Sequence, residues 1–466
     1  MGRFVGGFLS AFGLPPADAA RLHLARPVPL GGHLPTAELA ADAVGAMALA
    51  ADAAHAARTG SAPEGRISLD PDRIAASFRS DQLGRLGGEP FPAWAPLSGF
   101  FPAADGWVRT HANYAWHAAA LARVLGVVGS DRAGAAAAIR ERSARHLEDE
   151  VYAAGGLAVA MRSVPEWAAE RRGAAGAVGD RAPVPVPVRV RARDAAKTGR
   201  GRGGERAGTR AAPLAGVRVL DLTRVIAGPV GTRALAALGA DVLRVDAPGR
   251  PEPLWQWLDT GRGKRSTLLD LAATPDFARL RELLAAADVV VCSSRPGALR
   301  RFGLEPEQIA ADFPGVVNAR VVAWGAGGEW GDRRGFDSLV QAATGIALRE
   351  SPDGVVPGKL PAQALDHSAG ALLAGGVMSL LARGTGGEVE TVLEGIAQLL
   401  GSGTAVADRA PIPPGPDAVP PALATAPSQW GALAIAGPAY WPSWRPTPGP
   451  WAGRPWGEDP PVWLGA

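Results

Sequence analysis

The period of apolar and polar positions changes along this chain, and the sharpest change lies between Val217 and Asp246. Val217, Val219, Leu220 and Leu222 form a short apolar run, Ala227-Gly228-Pro229 interrupts it, Thr232 to Leu238 has helical spacing, and Asp241 to Val245 is apolar again. A short run that is apolar on both faces reads as a buried parallel strand, so the pattern predicts a strand–helix–strand unit. In an open α/β sheet the turn at the carboxyl end of such a strand is where the ligand sits. A further apolar run at Ala287–Cys292 predicts another buried strand.

Before this unit, Leu34 to Gly60 is alanine-rich with helical character and no proline beyond Pro35. Leu360 to Gly386 matches it: both open with Leu-Pro, and both carry an aspartate shortly before a glycine (Asp42 with Gly45, Asp366 with Gly370). Both also place an arginine, Arg58 or Arg383, thirteen residues after that glycine. The match continues from Ile67–Phe78 to Val389–Leu400, which reads as an internal repeat, two partial copies of one plan. Pro96 to Val127 predicts two short strands and then a helix, with Gly99-Phe100-Phe101 and Asp105-Gly106-Trp107 as punctuation. Arg132 to Ala153 predicts one more helix, whose Glu141, Arg142, Arg145, His146, Glu148, Asp149 and Glu150 read as a solvated face.

Arg171 to Pro213 is rich in arginine, proline and glycine, which predicts a flexible linker, with a basic patch for anionic ligands as the sharper alternative. It lacks the interleaved aromatics of a single-strand nucleic-acid site. The tail from Pro411 carries Trp430, Trp441, Trp444, Trp451, Trp456 and Trp463, expected to pack as a belt on a neighbouring lobe.

Composition narrows the classes. The 466 residues suffice for two or three domains, and 47% hydrophobic content is that of a globular chain. The lone cysteine, Cys292, excludes an intramolecular disulfide and fits a reducing cytoplasm; within an apolar strand it reads as a buried small hydrophobe. A formal net charge of +3 gives no reason for a nucleic-acid or membrane partner, and no uninterrupted apolar run reaches the length of a membrane span. Phe4 to Leu14 is too short and glycine-rich to read as an export signal. Seven scattered histidines show no metal-ligand spacing, so no metal is expected. Gly228 and Gly231 lack the third glycine of a dinucleotide fingerprint, which argues against a nicotinamide enzyme even though Asp246 closes the second strand.

Beyond the opening unit, further blocks follow in order: Gly261–Leu271, Ala287–Leu304, Val316–Gly328, Arg333–Gly345 and Leu365–Gly375. Together they resemble the family III CoA-transferases, which include formyl-CoA and carnitine-type transferases, with α-methylacyl-CoA racemases as relatives. The combined reading is an α/β protein with a doubly wound, Rossmann-like parallel sheet and a smaller α+β lobe. It divides the chain into a partial family copy (1–170), a linker (171–213), a core (214–401) and a Pro/Trp-rich segment (402–466). The resemblance implies transfer of CoA between an acyl-CoA and a carboxylic acid through an aspartyl intermediate, by a cytoplasmic homodimer. Residues 34 to about 170 are expected to supply the lobe that the tail cannot.

On this resemblance Asp353 matches the transferase nucleophile, although Ser351-Pro352-Asp353-Gly354 is also the sequence of a surface turn. Asp366 matches the acid of the racemase pair and has a structural reading as a helix N-cap. The opposite racemase base, a histidine, is replaced by Phe336, and Asp337 beside it reads as structural. The expected CoA contacts are Val225, Ile226, Lys264, Ser293, Ser294 and Arg301, with Lys264 and Arg301 on the phosphates. Ser293-Ser294 and Ala247 depart from the family at the CoA contacts; the truncated first copy, this altered CoA loop and a one-residue shift at Asp353 give a non-catalytic CoA-binding or partner subunit as the alternative, and a racemase is a further one.

Overall fold

The computed structural model describes residues 2–176, 186–193, 208–209, 211–295, 297–402, 423–445, 449 and 451–465. A seven-stranded sheet organises it, in the spatial order Arg265–Leu268, Asp241–Asp246, Arg218–Leu222, Val289–Cys292, Val317–Val322, Gly387–Val392, Val188–Ala192. The first six run parallel and the last is antiparallel. The edge strand Val188–Ala192 comes first in the chain; from Arg218–Leu222 the chain adds two strands on one side, then crosses over to add Val289–Cys292, Val317–Val322 and Gly387–Val392 on the other. Strand order therefore reverses between Arg218–Leu222 and Val289–Cys292, which opens a crevice outside their carboxyl ends.

Both faces are covered, as the doubly apolar strands require. Leu220, Leu243 and Val290 meet Leu280, Leu283 and Leu284 of helix Thr274–Ala285. Val219, Val242, Val289, Val291 and Val317 lie in one core with the helices Ala227–Ala237 and Ala364–Ala382, which pack on the sheet, and with Thr36–Thr59, which packs on Ala364–Ala382. Ala364–Ala382 is buried without a break from Ala364 to Leu380, so an apolar helix of membrane-spanning length is here a core helix. Small residues let its neighbours approach: a Cβ on Gly370 would fall 2.5 Å from the Ala227 carbonyl oxygen, and one on Gly375 would fall 2.5 Å from the Phe12 ring.

Helix Thr36–Thr59 packs along Ala364–Ala382, so the two alanine-rich stretches are partners in one core. Its buried Asp42 accepts hydrogen bonds from the N–H groups of Gly2, Phe4 and Val5, which fixes the start of helix Val5–Phe12. The strands Gly99–Ala103, Gly106–Thr110 and Ala158–Ala160 form an antiparallel sheet. With helices Ala115–Leu125, Arg132–Arg140 and Ala144–Ala153 it encloses a second core around Phe101, Val108, Leu121, Ile139 and Leu147. The architecture is thus α/β, with a doubly wound sheet and a smaller α+β lobe.

Several local expectations are corrected. Part of the expected linker is a strand: Val188–Ala192 pairs with Gly387–Val392, because alternating valines have an edge to bury against. The rest of the linker, 177–185, 194–207 and 210, lies outside the described residues. The helix expected at Arg132–Ala153 is two helices, broken where Asp105 accepts from Ser143 Oγ and Ala144 N, each at 2.7 Å. Glu148 is not on a solvated face but buried against Arg162 at 2.7 Å. Ala227-Gly228-Pro229 does not interrupt the chain but forms the first turn of helix Ala227–Ala237, where proline's missing N–H costs nothing.

Described tail tryptophans pack on both halves. Trp463 is buried and donates to the Leu283 carbonyl, Trp456 donates to Asp246, and Trp444 stacks on His55 at 4.3 Å.

Close backbone approach at Gly370 makes a specific stability prediction. Gly370→Val is expected to lower stability by at least ~1–3 kcal/mol, because the neighbouring atom is a carbonyl oxygen with nowhere to go. Gly7→Ala, on a helix position with nothing within 4 Å, is expected to gain up to ~1 kcal/mol. Urea unfolding midpoints of both variants check the contrast.

Candidate functional site

The crevice at the strand-order reversal holds a cleft of about 350 Å³, within the range of small-molecule sites. Its floor comes from Leu222, Val225, Ser293, Ser294 and Val322 to Trp324, all at or just past the carboxyl ends of parallel strands. Its other wall, Tyr114, Trp116 and His117, comes from the small lobe. Tyr114 and Trp116 stack at 4.5 Å, and the Arg250 guanidinium lies 4.5 Å from the Trp116 ring centre. Val225 is the one non-glycine residue with positive φ (72°) among the described residues. A β-branched side chain there stores strain of order 1–3 kcal/mol at the cleft's edge.

The charge of the cleft is positive and largely uncompensated. Arg224 is held by Glu252 at 3.0 Å and Arg333 by Glu148 and Asp149, but Arg295 and Arg334 stand exposed on the lining. Partial burial and the like charges of Arg295 and Arg250 push the Arg334 pKa down. Burial and the neighbouring Arg334 and Arg250 lower His117 to about 4, so its imidazole is neutral. Three guanidiniums gathered beside an aromatic pair suit a ligand that carries phosphates and a flat ring.

Next to the cleft is a small inner cavity of different character. Tyr114, Val225 and Phe336 line both spaces, and the inner one adds Asp81, Asp337, Asp366, His111 and Gln363. Asp337 is committed to structure: it accepts from the Asp366 N–H at 3.0 Å and from the Gln341 side chain, and so caps helix Ala364–Ala382. Gln341 in turn accepts from Leu360 N at 2.9 Å. The Asp366 carboxylate sits in the first helical turn, where the helix dipole favours an anion. Burial and the like charges of Asp337 and Asp81 act against that and push its pKa well up. Burial likewise raises Asp337 to about 6 and Asp81 to about 7. Burial, with Arg109 and His117 nearby, keeps His111 neutral, and its ring stacks on Phe336 at 4.1 Å. A buried carboxylate beside a cationic cleft can act as a nucleophile toward an acyl group delivered from that cleft.

The structure brings some expected residues together and separates others. Val225, Ser293 and Ser294 line the cleft, and Ile226 lines the inner cavity with Val225. Asp353 borders neither: it lies in an exposed turn, accepting from the N–H groups of Val355 and Val356 at 2.8 Å each, which holds its pKa low. Its surface-turn sequence decides its place. Lys264 is withdrawn from ligand duty: it is buried and donates to Asp221 at 3.1 Å and to the Pro229 carbonyl at 2.9 Å, tying the first strand to the helix start. Arg301 is exposed outside the cleft lining, with its guanidinium over Phe302. Asp366 does not cap its helix, since Asp337 does. His367 is a packing residue, stacked on Phe78 at 5.1 Å. Asp246 is held by Arg244 at 2.7 Å and by Trp456, which leaves no ribose ligand. Asp81, His111, Trp116, Arg250 and Arg334 are missed by the sequence reading, because their meeting is a product of the fold and not of any motif.

With this geometry in place, the likeness to known proteins is specific. The model of CoA-transferase family III matches residues 214–441. This part of the chain belongs to CoA-transferase family III. The chain is 35% identical over 185 residues to the probable fatty acyl-CoA transferase Rv3272 of Mycobacterium tuberculosis, covering 37% of this chain and 47% of that protein. It is 31% identical over 179 residues to the mouse (Mus musculus) succinyl-CoA:glutarate CoA-transferase, covering 36% and 41%. It is 38% identical over 166 residues to the succinyl-CoA–L-malate CoA-transferase beta subunit of Chloroflexus aurantiacus, covering 32% and 41%. A crystal structure of Rv3272 aligns with a TM-score of 0.38 at 35% identity, over 41% of this chain and 57% of that one. The chain spans less than half the length of these curated relatives.

The family III segment shares its inner cavity with the N-terminal half through Asp81, and that carboxyl has a measurable signature. Folding raises its pKa from 3.8 to about 7, so between those values the folded state holds a proton that the unfolded chain releases. Stability contributed by Asp81 is therefore fully present at low pH and lost as pH rises through about 7. Asp81→Asn is expected to be more stable than the parent at about pH 8, with the difference closing toward about pH 4. Urea melts across this pH range test it.

Proposed function

We propose that the chain is a CoA-transferase that moves CoA between an acyl-CoA and a carboxylic acid, with Asp366 as its nucleophile. The observation that carries this is the position of Asp366, a buried carboxylate bordering a small inner cavity next to an arginine- and aromatic-lined cleft. In this reading the Arg250–Arg295–Arg334 group takes the CoA phosphates and Trp116 offers a face for the adenine. The acyl group passes Tyr114, Val225 and Phe336 to reach Asp366. One Asp366 oxygen bonds the thioester carbon, the C–S bond breaks, and an acyl-aspartyl anhydride results. The thiolate then converts it to an aspartyl thioester, from which the acceptor acid takes CoA. Relatives whose names state transfer from succinyl-CoA to glutarate or malate support this reaction class. Both walls of the pocket come from one chain, so the reading does not depend on the homodimer expected of the family.

One observation favours a second reading, proton exchange at the acyl α-carbon. Phe336 occupies the place of the expected base, but His111 stacks on it and borders the same cavity as Asp366.

Incubation with a panel of acyl-CoAs and hydroxylamine, followed by peptide mass spectrometry, separates these outcomes. A hydroxamate is expected at Asp366 and is lost in Asp366→Ala, while Asp353→Ala keeps it. A hydroxamate at Asp353 overturns the assignment. Deuterium at the α-carbon in D2O without any covalent mark selects proton exchange instead.

A further inference from the structure

The short helix Ser80–Leu83 has a structural use for two of its polar side chains and none for a third. Ser80 Oγ donates to Asp259 at 2.7 Å, and Gln82 donates to the Pro361 carbonyl at 3.0 Å. Asp81 between them is 3% exposed, its Oδ1 has no hydrogen-bond partner, and it borders the cavity of Asp366. The other carboxyls nearby are satisfied: Asp259 by Arg233 at 3.5 Å and by Ser80, and Asp337 by Asp366 N–H and Gln341. Backbone N–H groups of Asp81 and Gln82 offset the burial of this carboxyl only in part, and leaving Oδ1 buried without a partner is costly. Charged and titratable groups around Asp81 are Asp259, Asp337 and Asp366 on three other helices, Arg79 beside it, Arg109 and His111 from the small lobe.

Resting on the transferase reading above, the geometry points to Asp81 as a further catalytic residue, the acid that protonates the departing CoA sulfur. Three carboxyls, Asp81, Asp337 and Asp366, border one cavity and do not all ionise readily, so the cavity retains a proton. That proton settles on Asp81 as the Asp366 oxygen bonds the thioester carbon. The C–S bond breaks, its electron pair goes to sulfur, and Asp81 passes its proton to that sulfur and becomes a carboxylate. As the thiol attacks the anhydride it returns the proton to Asp81, and the released acid leaves as a carboxylate. No other reactant is consumed. The residue belongs to the N-terminal half, which thereby takes part in chemistry at an aspartate of the family III segment.

Asp81→Asn keeps size and hydrogen bonding but transfers no proton. With the acyl-CoA that marks Asp366, parent kcat is expected to decline as pH rises through about 7. Asp81→Asn is expected to lose kcat about 100-fold with KM little changed and to be flat over the same range, and Asp81→Glu to restore part of the rate and the slope. Asp81→Ser, checked by circular dichroism, replaces the asparagine variant if that fails to fold. Parent-like kcat and pH profile in a folded variant overturn the role of Asp81 alone, provided Asp366 is marked. Absence of any mark on parent Asp366 overturns the transferase reading and this role with it.

Discussion

The close packing around helix Ala364–Ala382 is the constraint on which the rest depends. The helix presents Gly370 to helix Ala227–Ala237, Gly375 to Phe12 and helix Thr36–Thr59, and Gly376 to Val190 and Val389 of the sheet. On each of the three sides a Cβ would come within 3.0 Å of a neighbour, so the helix is located from three directions at once. Asp366 lies in its first turn, and Asp337 grips the same turn. The place of the Asp366 carboxylate is therefore set by backbone packing more than by side-chain contacts of its own.

Beside that helix, two electrostatic environments meet at a narrow border. The cleft gathers guanidiniums, and the cavity gathers carboxyls that burial keeps from ionising freely. Tyr114, Val225 and Phe336 border both. The guanidiniums and the buried carboxyls thus occupy adjacent but separate compartments. Buried ion pairs elsewhere, Lys264 with Asp221 and Arg244 with Asp246 and Glu252, hold the strands and turns under the cleft.

What was legible in the sequence is what local periodicity encodes. The apolar runs at Val217–Leu222 and Asp241–Val245, the helix Thr36–Thr59 and the hairpin at Gly99–Thr110 all follow from it. Motif position brought Val225, Ser293 and Ser294 to the cleft, because strand ends and turns are local features. It failed where the answer depends on partners distant in sequence. Lys264 reads as a free cation until Asp221 is seen opposite it, and Asp353 reads as a nucleophile until its turn is seen to face solvent. Asp81 has no motif at all; it matters only because helix Thr36–Thr59 carries its segment to the foot of Ala364–Ala382.

The pairing of those two helices also sets an order of events during synthesis. Thr36–Thr59 leaves the ribosome roughly 300 residues before Ala364–Ala382, which at about 5–20 residues per second is a wait of roughly 15–60 s. Through that interval its apolar flank, from Leu39 to Ala51, lacks the helix it is shaped to meet. The nascent chain must carry this exposed stripe until the family III segment arrives, so its shielding during translation is a requirement of the fold itself.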